Sequence, residues 1–203
     1  MTMTLYFSPG ACSLASHIAL HELGLPHAVV KVDLRQHKTA SGDDFYAINP
    51  KGYVPALTLD DGSLLTEGPA ILQYLADRKP ETGLAPAAGT LARYRLQEWL
   101  AYLNSEIHKT FGVYFNSDST DAEKANAGKR LAQKFDWLQQ QIGERASLMS
   151  EGYSVADAYL YTLLGWTAYV GIDLGRWPGL KAYHGKIGAR AAVQAAHAAE
   201  KAA

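Results

Sequence analysis

Cys12, the one cysteine among 203 residues, follows Pro9-Gly10 and stands where a helical pattern opens at Ser13. Backbone N–H groups at a helix start lack intrahelical acceptors and lie at the positive end of the helix dipole. A thiol there is expected to ionise more readily than a free one, and so to be reactive. A lone cysteine also fits as a small buried core residue. No second cysteine stands at the CxxC spacing, which excludes an internal dithiol and directs any chemistry to an external thiol. Val54-Pro55 precedes an apolar strand-like run. A cis bond there would turn the Val54 N–H and C=O outward toward an extended ligand, while a trans proline opening a strand is the plainer reading. Glu67-Gly68 opens a helix at Pro69. Gly68 would let a ligand approach the backbone and Glu67 could take an amine, or merely complement the helix dipole. His17 and His21 stand four apart and could pair on a metal; without a third ligand in view they are expected to be exposed helix residues, and no metal is expected.

The elements that must position these groups fall into two regions. Residues 4–7 and 28–32 read as strands joined by a helix over 13–23, which makes the two strands parallel. Residues 56–59 and 63–65 flank Asp61-Gly62 as a hairpin, and a helix follows from Gly68-Pro69 to Lys79-Pro80. Seven of the eight prolines lie at or before Pro86. The remainder reads as helix after helix: 91–115, 122–142, and a segment from Ser154 that is apolar nearly all round and therefore central. Ser154-Val155-Ala156-Asp157 has the form of a capping box. The Ala-rich tail after Arg190 reads as a final fraying helix.

Hydrophobic residues are 48% and charged residues 19% of the chain, with a formal net charge of −1. This supports a packed core and gives no sign of a nucleic-acid or membrane-surface partner. No apolar run reaches the ~20 residues of a membrane helix, and residues 1–7 lack a signal peptide's pattern. The expected compartment is the reducing cytoplasm.

Four stretches then matter together: residues 9–17 (PGACSLASH), 49–57 (NPKGYVPAL), 65–71 (LTEGPAI) and 154–159 (SVADAY). In order and spacing they resemble the glutathione S-transferase family, in detail its bacterial beta class. The resemblance implies an α/β thioredoxin-like N-terminal domain over 1–80, a linker over 81–87, an all-α helical bundle domain over 88–203, and a homodimer. It implies transfer of the glutathione thiol to small hydrophobic electrophiles, with a glutathione-dependent thiol–disulfide oxidoreductase or a noncatalytic carrier as alternatives. Cys12 and His108 would meet the glutathione sulfur. Val54, before a cis Pro55, would pair with the cysteinyl backbone. Glu67 and Gly68 would hold the γ-glutamyl end, and His37 or Lys38 the glycyl carboxylate. Ser105 joins the glutathione contacts, and Tyr114, Phe115 and Trp166 the electrophile wall. Ser154 and Asp157 match the family's folding cap. Tyr6 and Ser13 remain rival sulfur donors. The family's partner-subunit Asn falls at Ala101, with Asn104 one turn away, which predicts weaker glutathione binding. Arg93 and Tyr94 are expected to hold domains or subunits together.

Overall fold

The computed structural model describes residues 2–203. Its contacts form two units, Met1–Gly83 with Arg190–Ala203, and Leu84–Ala189.

In the first unit β1 (Met3–Phe7) alternates strictly, burying Met3, Leu5 and Phe7, as a sheet strand with one covered face must. Helix α1 (Ser13–Glu22) crosses to β2 (His27–Asp33), which pairs parallel with β1. The parallel pair and the terminal hairpin follow the sequence expectation: β4 (Ala56–Thr58) and β5 (Leu64–Thr66) are antiparallel, with Asp61 accepting from the Ser63 N–H at 2.9 Å in the turn. Helix α3 (Gly68–Asp77) closes the unit's continuous part. Two elements lie between β2 and β4 that periodicity did not reveal. One is β3 (Lys38–Thr39), antiparallel to β2; the other is the single turn α2 (Phe45–Ile48), capped by Asp44. Both are too short to carry a period. The sheet order is β3-β2-β1-β4-β5.

The tail corrects one expectation. Placed with the helical domain by its sequence, α9 (Ala191–Ala202) instead packs on α1, burying Val193, Ala196 and Glu200. Arg190 anchors it, its guanidinium donating to both carboxylate oxygens of Glu22 at 2.5 and 3.0 Å. Covered by α9 as well as the sheet, α1 buries eight of its ten residues. The alanines permit this close approach.

The second unit is helical. Residues 91–115 form one continuous run, as expected, but not one α-helix. Helix α4 (Leu91–Tyr102) passes into a π-helical stretch, Leu103–His108, and then α5 (Lys109–Phe115). The π form widens the turn and re-aims side chains, which is why such bulges recur at functional sites. Helices α6 (Asp121–Ile142), α7 (Val155–Tyr169) and α8 (Pro178–Gly188) complete it. Twelve of the fifteen α7 residues are buried, the central helix its composition requires. Ser154 and Asp157 form the capping box. The Asp157 carboxylate also accepts from the Leu148 N–H at 2.7 Å and the Tyr183 hydroxyl at 2.6 Å. The strand of chain before α4 is strapped to this unit: Val155 N–H donates to Leu84 O at 3.0 Å, and Arg93 Nε to Pro86 O at 2.7 Å.

Candidate active-site residues

Cys12 occupies the N-cap of α1 in helical geometry, held by the turn in which Ala11 N–H donates to Ser8 O at 3.0 Å. Its Sγ donates to the Val54 carbonyl at 3.2 Å. The Val54–Pro55 bond is cis, and Val54 is buried. The Val54 N–H has no protein acceptor among the described residues, so one half of this main-chain edge is open to a ligand. The other half is taken by the thiol.

Burial pushes the Cys12 thiol up to about 12. The N–H groups of Cys12 and Ser13 favour the anion, but desolvation is the larger effect, and the Glu67 carboxylate adds to it. This is opposite to the expectation from a helix N-terminus. A dipole lowers a thiol's pKa where water or a cation shares the charge; here the sulfur meets a carbonyl and the Glu67 carboxylate bears on it. Of the rival donors, Ser13 is fully buried and braces the preceding turn, accepting from the Ser8 N–H at 3.3 Å and donating to Ser8 O at 3.4 Å. Tyr6 packs with Phe45, ring centres 5.7 Å apart, in the small cluster under Val54 and Ala56.

At α3, Glu67 sits at the N-cap with φ +71, a region a non-glycine residue enters at a cost of about 1–3 kcal/mol. Lys51 Nζ reaches back from the Asn49-Pro50-Lys51-Gly52 turn to donate to Glu67 Oε1 at 2.6 Å and Thr66 Oγ1 at 3.0 Å. The pair is exposed, 53% and 61%, so it contributes at most about 1 kcal/mol and opens readily for a charged ligand. Sequence alone assigns no role to Lys51, which stands within the 49–57 stretch. Gly68 is less demanding than expected: an added Cβ would meet only Pro55 Cγ at 3.9 Å, an ordinary contact.

Of the two candidates for a carboxylate partner, Lys38 is exposed on β3. His37 (φ +51) stacks on Tyr46, ring centres 4.4 Å apart, and its buried Nδ1 has no partner. Gly52 makes that stack fit. Its φ is +70, and a Cβ would lie 2.6 Å from Tyr46 Cε1 and 3.1 Å from His37 Nδ1.

In the second unit, His108 ends the π stretch. Its Nδ1 lies 2.7 Å from the Tyr159 hydroxyl, which itself donates to Asn104 Oδ1 at 3.0 Å. Tyr159 has one proton and gives it to Asn104, so His108 Nδ1 carries the other and Nε2 keeps its lone pair. Burial, then the Lys109 charge, lowers the imidazole's pKa to about 4, so it is neutral at pH 7. Trp166 packs beside it at 4.9 Å, with Phe111 and Phe115 edge-on to Trp166 at 5.5 and 5.2 Å. Phe115 is half exposed at this wall. The Tyr114 hydroxyl lies over Gly128 of α6, where a Cβ would meet it at 2.7 Å. Ser105 and Ala101 are exposed.

Two family models match the chain: the glutathione S-transferase N-terminal domain over residues 10–78 and the C-terminal domain over 121–186. The chain is 41% identical over 198 residues to the glutathione S-transferase GstA of Escherichia coli, covering 98% of each. Among solved structures it is similar to a sphingomonad glutathione S-transferase complexed with glutathione, with a TM-score of 0.95 and 52% identity over 98% of this chain and 100% of that one. It is also similar to the bacterial beta class enzyme of Sphingomonas chungbukensis, with a TM-score of 0.95 and 49% identity over 97% and 98%. The chain therefore belongs to the glutathione S-transferase family.

Proposed function

We propose that the protein transfers the glutathione thiol to small hydrophobic electrophiles, with Cys12 as a hydrogen-bond donor to the glutathione sulfur and not as the nucleophile. The observation that carries this is the Cys12 thiol itself, protonated at neutral pH and already donating at 3.2 Å. A neutral S–H can turn from the Val54 carbonyl to an incoming sulfur and favour its thiolate. The freed carbonyl and the unpaired Val54 N–H then take the cysteinyl backbone. Glu67, with Gly68, receives the γ-glutamyl ammonium in place of Lys51. His37 or Lys38 meets the glycyl carboxylate.

In the reaction the glutathione thiol loses its proton to solvent and the thiolate forms a carbon–sulfur bond. The leaving group departs with the electron pair of the bond that breaks. The exposed Phe115, backed by the buried Trp166, offers an apolar surface for the electrophile, and His108 Nε2 an acceptor. The resemblance further implies a homodimer. Large exposed apolar side chains on α4, Leu91 and Tyr94, support a covered face there.

The test compares Cys12→Ser and Cys12→Ala with the unaltered chain in conjugation of chlorodinitrobenzene and in reduction of a glutathione mixed disulfide. Serine keeps a donor and should hold conjugation within about tenfold, whereas alanine removes a hydrogen bond to a charged sulfur and should cost roughly 10–100-fold. Conjugation abolished equally by both substitutions, alongside strong disulfide reduction by the unaltered chain, would make Cys12 the nucleophile.

A further inference from the structure

We propose that His17, His21 and His27 form a binding site for a divalent transition-metal ion of the zinc class, independent of the glutathione chemistry. This departs from the sequence reading, in which His17 and His21 were exposed and no metal was expected. His17 is fully buried instead, and His27, at the start of β2, supplies the third imidazole. The chain between, with Gly24 and Pro26, turns back at the end of α1 to bring it there.

The three rings stand in a near-equilateral triangle, with centroids 4.9 Å (His17–His21), 5.4 Å (His17–His27) and 5.2 Å (His21–His27) apart. A tetrahedral ion with metal–nitrogen bonds of about 2.0–2.1 Å places its imidazole centres about 5.2 Å apart. The rings are therefore already at coordination spacing. One ligand nitrogen from each lies within 4.8 Å of the others. Coordination needs about 3.4 Å, a gap that rotation of the rings about their own bonds can close.

The partners of the rings assign the free nitrogens. His17 Nδ1 faces the buried carboxylate of Glu200 at 3.4 Å, and His27 Nδ1 lies 2.7 Å from the Leu25 carbonyl. Acceptors at Nδ1 put the proton there and leave the lone pair on Nε2, free for a metal. A carboxylate or carbonyl behind a histidine is the arrangement that orients metal-binding imidazoles. His17 Nε2 and His21 Nε2 are buried without any hydrogen-bond partner. Two buried imidazole nitrogens without a partner in one cluster are costly, and a single cation bound to both would satisfy them. His21 and His27 remain partly exposed, which leaves an entry path and a fourth position for water.

The experiment titrates zinc chloride into the full chain, purified without a polyhistidine tag, by calorimetry, and repeats the loading with cobalt(II) to read its visible ligand-field bands. The expected result is one ion per chain with the intense absorption of a tetrahedral site. Replacing a residue behind a ligand typically weakens binding 10–100-fold; Glu200→Gln should fall in that range, and His21→Ala and His27→Ala, each shown folded by circular dichroism, should exceed it. Cys12→Ser should leave zinc binding unchanged. Absence of binding, binding that survives both histidine substitutions, or binding removed by Cys12→Ser would overturn the proposal.

Discussion

Whether Cys12 attacks or donates turns on its ionisation, and the structure sets a magnitude. With the thiol at about 12 instead of its ordinary 9.0, the neutral form is favoured by three units, about 4 kcal/mol. At pH 7 the thiolate is about one part in 100,000, against about one in 100 for an unperturbed thiol. Alkylation by iodoacetamide proceeds through the thiolate, and the chain has a single cysteine, so the modified mass reports this group alone. The folded protein should react about 1,000-fold more slowly at pH 7 than a peptide of residues 8–16. Its rate should climb about tenfold per pH unit from 7 to 9.5 without levelling. Unfolding in urea should restore the peptide's rate, because desolvation is the cause and vanishes with the fold. A plateau below pH 8, or a rate at pH 7 equal to the peptide's, would show that the α1 N-terminus outweighs burial. The donor role would then fail.

Two further outcomes follow from the helical unit. His108 has a folded pKa near 4 against an ordinary 6.5, so its stabilising effect is complete above pH 6.5 and is lost as pH falls toward 4. The unfolded chain takes up the proton first, and at pH 5 the loss is about 2 kcal/mol. Urea midpoints at pH 7 and pH 5 should fall less in His108→Gln than in the unaltered chain, and equal falls would contradict the assignment. Asp157→Ala strands the buried N–H groups of Leu148 and Ser154, at about 1–3 kcal/mol each, the second being its half of the capping box. At about 2–4 °C per kcal/mol for a chain of this size, the melting temperature should drop by at least about 4 °C; a drop under 2 °C would refute that accounting.

How far the sequence could be read tracks the distance over which each interaction acts. The β1–α1–β2 crossover, the β4–β5 hairpin and the Ser154–Asp157 cap are local patterns, and each appears where periodicity and capping chemistry place it. Lys51 on Glu67 and Tyr46 under His37 are loop contacts across 16 and 9 positions, with no period to reveal them. The raised Cys12 thiol has a different origin. Its position at a helix start was legible, but the sign of its shift depends on desolvation and on Glu67, 55 residues away, neither of which the local spacing reveals.

The histidine cluster shows the same limit most sharply. The i, i+4 spacing of His17 and His21 put two imidazoles on one helix face, and an exposed face would leave them solvated and unremarkable. What buries His17 is α9, whose alanines read as a fraying tail in a different domain. Its Glu200 lies 183 residues on and meets His17 Nδ1 at 3.4 Å, while Glu200 Oε2 accepts from the Gly10 N–H at 3.2 Å. The return of the tail to the first unit thus excludes water from one ring, fixes its tautomer, and leaves its second nitrogen without a donor. An interior imidazole so placed either carries an unsatisfied lone pair or holds a cation with its two neighbours, and zinc titration separates the two.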